Sequence, residues 1–378
     1  MNQPLRSFAV ALAALVLATT SAVPAQGPQP IVIGAILSYT GLSAPLGQPQ
    51  VNALKLAETD INAHGGIKGR PIHFDIVDDE AKADVASQLA TQMIGKKVAA
   101  LICGTRTDTS QAAARVAAGE NVVQIIMVPT ANIWQTAGGG VIKTIFQATP
   151  RDQLEAAASL NYARTKLHVK NIAILHDANF YGTNGAQIAS AQAIAAGMTV
   201  SDIESYAGDA TDFTAQLLKV RNTKPDAVVL WGATTTPALV IRQARSLGLT
   251  VPFLGTSGIL SPAFINVAGD AGRDVFATSN LDPAGGTAEQ RKLAELYTAA
   301  YHAPLVAFAA QAWDAAHILA AALANAGTGG AAQAAWLASG KPIAGAQGTF
   351  RFSSVDHNGL RPTDVHVLTV SGGRWSNP

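Results

Sequence analysis

The stretch Ile31-Val-Ile-Gly-Ala-Ile-Leu37 decides the fold, because seven successive residues carry no charge and only Gly34 interrupts their apolar side chains. A strand that is buried on both faces has this continuous apolar pattern, and such strands form parallel sheets covered by helices. A loop with Gly and Pro follows at 38–49, and apolar residues then recur at helical spacing over 51–61. The stretch therefore predicts a strand followed by a helix, the first half of a βαβ unit.

The same alternation continues along the chain, and Pro150 separates two series of strands and helices. Further strands are predicted at 72–76, 98–103, 122–128, 171–176, 198–205, 227–231 and 251–255. Further helices are predicted at 84–97, 109–119, 152–165, 184–196, 211–222 and 237–247. Two series of this kind predict an α/β protein with two doubly wound lobes. Ligands of such sheets bind beyond the carboxyl ends of the strands, so we expect the site in the loops that follow them.

The last third of the chain predicts a strand at 274–279, helices at 288–301, 305–326 and 331–338, and strands near 349–352 and 365–370. These elements do not make a third sheet, and we expect them to complete the two earlier lobes.

The N-terminal residues have the composition of a secretory signal peptide. Arg6 is the only charged residue before position 30, an apolar run covers 8–18, and Val23-Pro-Ala25 offers small residues for cleavage. The apolar run is shorter than the ~20 residues that a membrane-spanning helix needs. We expect cleavage after Ala25 and export of a soluble protein to a bacterial periplasm.

Composition excludes several classes of function. The 378 residues include 26 Lys and Arg against 25 Asp and Glu, and loss of Arg6 leaves 25 of each. No basic cluster predicts a nucleic-acid interface. One cysteine, Cys103, excludes an internal disulfide and a Cys-based zinc site. The sequence contains no nucleophile elbow, no phosphate-binding loop and no dinucleotide fingerprint, so we expect no enzyme activity, no cofactor and no metal site.

Several stretches in fixed order carry a resemblance to a known family: 31–41 (IVIGAILSYTG), 60–71 (DINAHGGIKGRP), Asp78-Asp79, 174–182 (ILHDANFYG), 212–227 and 241–249 (IRQARSLGL). They resemble the branched-chain amino acid binding proteins of ABC transporters, which are type I periplasmic solute-binding proteins. The resemblance covers roughly residues 30–370. It implies two Rossmann-like lobes that are joined by three hinge crossovers and close on a ligand. One lobe would contain 28–148 and 281–346, and the other 149–278 and 350–378.

The resemblance also implies where the ligand binds. The family holds a ligand carboxylate with a hydroxyl and backbone amides after the third strand, and here that position is Asp108 or Thr109. The next ligand loop falls on Thr130, Ala131 and Asn132. An apolar wall falls on Leu46, and an aromatic contact in the second lobe falls on Tyr181.

Residue chemistry adds candidates to these positions. Arg106 either makes a bidentate contact with a carboxylate or pairs with Asp108. Hydroxyls in the same loop either donate to a ligand or cap the following helix. The predicted ligand-binding residues are Leu46, Arg106, Thr107, Asp108, Thr109, Thr130, Ala131, Asn132, Tyr181, Thr235, Thr236 and Ser257.

Thr236 marks a departure from the family. The amino-acid binders place a Glu there to pair with the ligand's α-ammonium, and a threonine cannot neutralise that charge. A buried charge without its partner costs ~3–5 kcal/mol, or more than about 100-fold in affinity. We therefore expect a ligand without an α-ammonium, such as an aromatic or other hydrophobic carboxylate. Amides, urea-type solutes and branched-chain amino acids are the alternative ligands.

The resemblance implies a small-molecule ligand and the membrane permease of an ABC transporter as partners, with the binding protein a monomer. A ligand-sensing receptor protein and a secreted enzyme are the alternative classes.

Overall fold

The computed structural model describes Met1 and residues 28–378, and the predicted signal peptide lies outside the described residues apart from Met1. The strands are β1 Ile31–Leu37, β2 Ile72–Asp78, β3 Leu101–Cys103, β4 Gln124–Ile126, β5 Ile145–Gln147, β6 Asn171–Asp177, β7 Thr199–Tyr206, β8 Ala227–Trp231, β9 Phe253–Gly255, β10 Val275–Ser279, β11 Ile343–Ala344, β12 Thr349–Phe350, β13 His366–Ser371 and β14 Arg374–Ser376. The helices are α1 Ala44–Ala63, α2 Ala83–Gly95, α3 Thr107–Gly119, α4 Asp152–Lys166, α5 Phe180–Ala195, α6 Thr214–Asn222, α7 Thr236–Ser246, α8 Pro262–Ala268, α9 Ala288–Tyr301, α10 Ala307–Ala326 and α11 Gly330–Leu337.

Two sheets organise these elements into two lobes. The first lobe contains a five-stranded parallel sheet in the order β2-β1-β3-β4-β5. The second lobe contains a seven-stranded sheet in the order β14-β13-β10-β9-β8-β6-β7, in which β13 and β14 are the antiparallel members. Helices cover both faces of each sheet, which explains why β1, β3 and β8 are apolar along their whole length. The predicted fold class, two doubly wound lobes, is confirmed.

After β10 the chain returns to the first lobe. The α10 helix packs against α1, and Trp313, Leu319 and Leu323 share a buried core with Leu54. Among the described residues, α10 is the one helix with the length and hydropathy of a membrane span, and 83% of that apolar window is buried in the protein. Its composition is therefore that of a central core helix.

Residues 350–360 differ from the expected lobe boundaries. They were expected in the second lobe, yet Phe350, Phe352 and Leu360 are buried in the core of the first. The Phe352 ring meets Phe146 edge-on at 5.3 Å, and the Gln147 amide donates to the His357 carbonyl at 2.8 Å. The chain rejoins the second sheet only at β13, which pairs with β10.

The elements that the sequence did not predict are short. They are β5, α8, β11 and β14, which contain between two and seven residues each. A segment of this length is too short to show either helical or alternating periodicity. The α5 helix begins at Phe180, four residues earlier than expected, because the Asn179 side chain caps it by accepting from the Gly182 amide at 2.9 Å.

One side chain connects the three segments that cross between the lobes. Gln347 Nε2 donates to the Ala148 carbonyl at 2.8 Å and to Asp314 Oδ2 at 2.9 Å, while its Oε1 accepts from Asn280 Nδ2. Asp314 also accepts from the amides of Ala346 and Gln347, at 2.6 and 3.0 Å. The crossovers near 148, 280 and 347 therefore meet at a single hydrogen-bonded point.

The packing of α5 on β8 gives a test of the fold. A Cβ on Gly185 would lie 2.0 Å from the ring of Trp231, which is buried, so Gly185→Ala should destabilise the protein by about 1–3 kcal/mol. A Cβ on Gly95 meets nothing within 4 Å, which makes Gly95→Ala the matched control. Urea denaturation should show a lower midpoint for the first variant alone, and equal midpoints would contradict this packing.

Candidate functional site

The main cleft lies between the lobes, beyond the carboxyl ends of β1, β3 and β4 on one side and of β6, β8 and β9 on the other. It encloses about 610 Å³ of empty volume, part of which is open to solvent. The first lobe lines it with Ser43, Leu46, Thr105, Arg106, Thr107, Asp108, Met127, Val128, Pro129, Phe308 and Gln311. The second lobe lines it with Asn179, Phe180, Tyr181, Ala233, Thr234, Ser257 and Gly258. This is where parallel sheets of this kind bind ligands.

The structure brings half of the sequence-predicted residues together in this cleft. Those that line it are Leu46, Arg106, Thr107, Asp108, Tyr181 and Ser257. Those that lie outside its lining are Thr109, Thr130, Ala131, Asn132, Thr235 and Thr236.

Arg106 and Asp108 form a bidentate pair at the cleft wall. Arg106 Nε donates to Oδ1 at 3.1 Å and Nη2 donates to Oδ2 at 2.9 Å. Both side chains are about one-third exposed, with relative exposures of 29% and 37%. Of the two alternatives for Arg106, the pairing with Asp108 is the one observed, and Arg106 also lines the cleft. Within the described contacts, Nη1 is the guanidinium nitrogen without an acceptor.

The backbone amides of Thr107 and Asp108, in the first turn of α3, are two further hydrogen-bond donors. The Thr109 and Ser110 hydroxyls donate back to the Arg106 carbonyl, and the Asp108 carboxylate accepts from the Thr109 amide, so both hydroxyl protons are engaged within the helix. In the part of the chain that the structure describes, the amides of Thr107 and Asp108 have no acceptor. Free amides at a helix N-terminus attract an anion.

The second-lobe wall differs from the expected one. The Thr236 hydroxyl donates to the Gly208 carbonyl at 2.6 Å, and the residue is buried at the start of α7. Thr235 is the N-cap of the same helix. Ala233 and Thr234, which precede the helix, line the cleft in their place. Counting back from Arg242 assigned the ligand contact to Thr236, which lies on α7. The loop before α7 is the segment that reaches the cleft.

Tyr181 and Ser257 line the cleft with their polar atoms already engaged. The Tyr181 hydroxyl donates to Thr256 Oγ1 at 2.8 Å, and the Ser257 hydroxyl donates to Glu155 Oε1 at 2.5 Å. Glu155 also accepts from the Thr278 hydroxyl at 3.2 Å. Tyr181 therefore offers a ring face rather than a free hydroxyl.

Asn132 connects the lobes across the cleft edge. Its Nδ2 donates to Asn184 Oδ1 at 2.9 Å, and Asn184 Nδ2 donates to Asp152 Oδ2 at 2.8 Å. The Asp152 amide in turn donates to the Pro129 carbonyl at 2.9 Å. Thr130 and Ala131, in the same first-lobe loop, are buried behind the cleft wall. This loop contacts the second lobe directly.

The residues that sequence reasoning missed are mostly apolar. Met127, Val128 and Pro129 follow β4 and read as the end of a buried strand. Phe308 and Gln311 belong to the Ala-rich α10, far along the chain, and no local pattern separates them from core. The sequence contains one indication of the role of Asn179, because an Asn before a helical pattern predicts a helix N-cap at the end of a loop.

No group of three or more His, Cys, Asp or Glu side chains within residues 28–378 is arranged to hold a metal ion.

Two buried carboxyls behind the cleft predict the pH dependence of stability. Burial, together with the charge of Glu155, raises the pKa of Asp152 to about 8, and burial raises the pKa of Glu155 to about 7. In the unfolded chain these groups titrate near pH 4, so the folded state binds more protons between about pH 4 and 8 and stability falls as pH rises. The Tm of the unliganded protein should therefore decrease from about pH 5 to pH 8.

Asp152→Asn should make this decrease shallower, since the amide cannot lose a proton, while Asp270→Asn on the surface should leave it unchanged. Thermal melts across the pH series test both variants. An unchanged slope in Asp152→Asn would contradict the assignment.

The Asn132–Asn184 hydrogen bond predicts the balance between open and closed lobes. A net contribution of about 0.5–1.5 kcal/mol is expected for such a bond, so Asn132→Ala should shift the unliganded population toward the open form. Small-angle X-ray scattering should show a larger radius of gyration for this variant. Asn325→Ala, on exposed α10 surface, is the control, and equal radii would contradict the role of the bond.

Comparison with known proteins places this geometry in a family. The profile of the periplasmic binding protein family matches residues 30–374. Leu/Ile/Val-binding protein homolog 3 of Brucella melitensis is 26% identical over 325 residues, which cover 85% of this chain and 87% of that protein.

Two solved structures share the fold. The branched-chain amino acid transporter substrate-binding protein LivJ of Streptococcus pneumoniae, in complex with isoleucine, is 24% identical with a TM-score of 0.80, over 92% of this chain and 97% of its own. An ABC transporter solute-binding protein of Rhodopseudomonas palustris, in complex with benzoate, is 23% identical with a TM-score of 0.79, over 92% and 95%. At these identities the likeness shows the fold alone. The profile match spans nearly all of the described residues, and the chain belongs to the periplasmic binding protein family, with the two-lobed fold of these solved structures.

Proposed function

We propose that this chain captures a small hydrophobic carboxylate without an α-ammonium, with aromatic acids favoured, and delivers it to the permease of an ABC importer. The signal peptide expected at 1–25 would export it to the periplasm, where it acts as a monomer. The family to which it belongs binds solutes, so the proposal concerns which solute is bound.

The observation that carries the proposal is the distribution of charge in the cleft. Asp108 is the acidic side chain that lines it among the described residues, and the bidentate contact with Arg106 occupies it. Glu155 lies behind the wall, where Ser257 and Thr278 donate to it. An α-ammonium would therefore enter the cleft without a carboxylate partner, which is costly for a buried charge.

A carboxylate has donors available in the same cleft. The free amides of Thr107 and Asp108 lie at the N-terminus of α3, a helix of 13 residues. Arg106 Nη1 adds a further N–H donor at that end. An anion gains from the helix dipole and from charge-assisted hydrogen bonds at this point.

The remainder of the cleft suits an apolar body. Leu46, Met127, Val128 and Phe308 line it from the first lobe, and the rings of Phe180 and Tyr181 from the second. Aromatic side chains of this kind favour stacked or edge-on contact with a ligand ring. A ligand held by both lobes stabilises the closed form, so binding would shift the open–closed equilibrium through the hinge.

Two similar proteins point to different ligands, one to amino acids and the other to an aromatic acid. The Brucella melitensis relative is named for Leu, Ile and Val, and the Rhodopseudomonas palustris structure contains benzoate. The cleft charges of this chain favour the benzoate type of ligand over the amino acids.

A binding panel tests the proposed ligand class. Residues 26–378 are titrated by calorimetry and thermal shift with benzoate, 3-phenylpropionate, benzamide, urea and L-leucine. The carboxylates should bind at least about tenfold more tightly than the amides, and at ~100 Kd they should add about 2.7 kcal/mol of stability. Sub-micromolar binding of leucine, with no binding of the aromatic acids, would overturn the proposal.

Replacing Arg106 tests the proposed carboxylate end. In Arg106→Gln the carboxylate would lie beside an unneutralised Asp108, so the affinity for the best acid of the panel should fall about tenfold or more. Arg115→Gln changes an exposed arginine on the same helix and should leave the affinity unchanged. Equal affinities of the two variants would place the carboxylate elsewhere.

A further inference from the structure

Gln311 lies in the cleft lining with half of its amide unused. It belongs to α10, one turn after Phe308, and it is only 2% exposed. Its Nε2 donates to Thr149 Oγ1 at 3.1 Å, in the first crossover between the lobes. Its Oε1 is buried and has no hydrogen-bond partner among the described residues.

This unpaired oxygen distinguishes Gln311 from the other described side chains that line the cleft. Other buried unpaired atoms, such as Thr130 Oγ1 and Asp152 Oδ1, belong to residues outside the lining. A buried acceptor without a donor costs about 1–3 kcal/mol, and a ligand that supplies the donor recovers that free energy. Sites built to hydrogen-bond a ligand group discriminate strongly against analogues that lack it.

We propose that Gln311 is a specificity-determining residue, whose Oε1 accepts a hydrogen bond from a hydroxyl of the bound solute. This inference rests on the proposed function and makes it narrower: the preferred ligand is a hydroxylated hydrophobic acid, with its carboxylate at α3 and its hydroxyl at α10.

The donor on the ligand is a neutral group. Met127, Val128 and Phe308 line the same cleft from the first lobe. The nearest acid along α10 is Asp314, which is occupied by the amides of Ala346 and Gln347 and by the Gln347 side chain. A hydroxyl loses little solvation free energy on burial when it gains one good acceptor, whereas an ammonium would need a carboxylate.

The partner of Gln311 lies in the hinge. Thr149 accepts from Gln311 through its hydroxyl and from Asn358 Nδ2 through its carbonyl. A ligand hydroxyl bound to Gln311 would thus be connected to Thr149, in the first crossover, through the Gln311 side chain. The contact with Thr149 engages Nε2 at the hinge and leaves Oε1 unpaired.

The test compares matched acids on matched variants. Benzoate, 3-hydroxybenzoate, 4-hydroxybenzoate and 4-methoxybenzoate are titrated by calorimetry into the parent, Gln311→Met and Gln333→Met. Gln333 is the control because it is equally buried, has an unpaired Oε1 of its own and lies outside the cleft. Should Gln311→Met fail to fold, Gln311→Asn retains the amide but withdraws the oxygen by one carbon.

We expect one hydroxybenzoate to bind the parent about tenfold or more tightly than benzoate, and the methoxy acid to gain nothing. Gln311→Met should lose this preference, so that it binds benzoate and the hydroxybenzoates equally, while Gln333→Met keeps the preference of the parent. Equal binding of benzoate and the hydroxybenzoates, a preference that survives in Gln311→Met, or methoxy binding equal to hydroxy binding would each overturn the role of Gln311 while the proposed function stands. If none of these four acids and no other carboxylate of the earlier panel binds, the proposed function is overturned, and the inference with it.

Discussion

The hydrogen-bonded point around Gln347 is the constraint on which the two-lobed architecture depends. Two lobes that move against each other need crossovers that stay together, and here one side-chain amide contacts the Ala148 carbonyl, Asn280 and Asp314. Burial raises the pKa of Asp314 to about 7 even though three donors surround its carboxylate. Because these groups are buried, losing any of these hydrogen bonds would leave further polar atoms unpaired beside Asn280 Oδ1, and the network holds the crossovers in one arrangement.

The position of the cleft follows from this constraint. With the crossovers joined at one edge, the carboxyl ends of both sheets face each other, and the helices that begin there point their N-termini into the gap. The first turns of α3 and α5 both reach the lining, through Thr107 and Phe180. Free amides in a cleft without an unpaired acidic side chain are the electrostatic environment that the proposed carboxylate ligand requires.

How far the sequence predicts this arrangement depends on the range of the interactions. The apolar run of β1 and the helical periodicity of α9 are local, and their bounds are close to those observed. The C-terminal boundary is set by long-range packing of Phe350 and Phe352 onto the first lobe, which no local pattern contains. The same distinction separates the site residues. Arg106 and Asp108 are two positions apart, so their pairing was an explicit alternative from the sequence.

Thr236 shows why position along the chain is a weaker guide than geometry. Its side chain has the chemistry that was expected, since a hydroxyl cannot neutralise an ammonium, but it donates to the Gly208 carbonyl and does not line the cleft. The proposed preference against an α-ammonium therefore does not depend on one residue. It depends on the whole lining, in which Asp108 is paired and Glu155 is held behind Ser257.

A cleft in which the charges are already paired selects its ligand by short-range contacts. The Arg106–Asp108 pair leaves little net charge to attract an anion from a distance, and the chain's formal net charge of +1 adds almost none. Discrimination then rests on groups that a ligand must satisfy once water has left, namely two helix amides at one end and one glutamine oxygen at the other. Gln311 could not be identified from the sequence because its role depends on a Thr149 that is 162 positions away along the chain. It becomes visible only when the hinge brings α10 beneath the cleft, so the constraint that joins the lobes also completes the site.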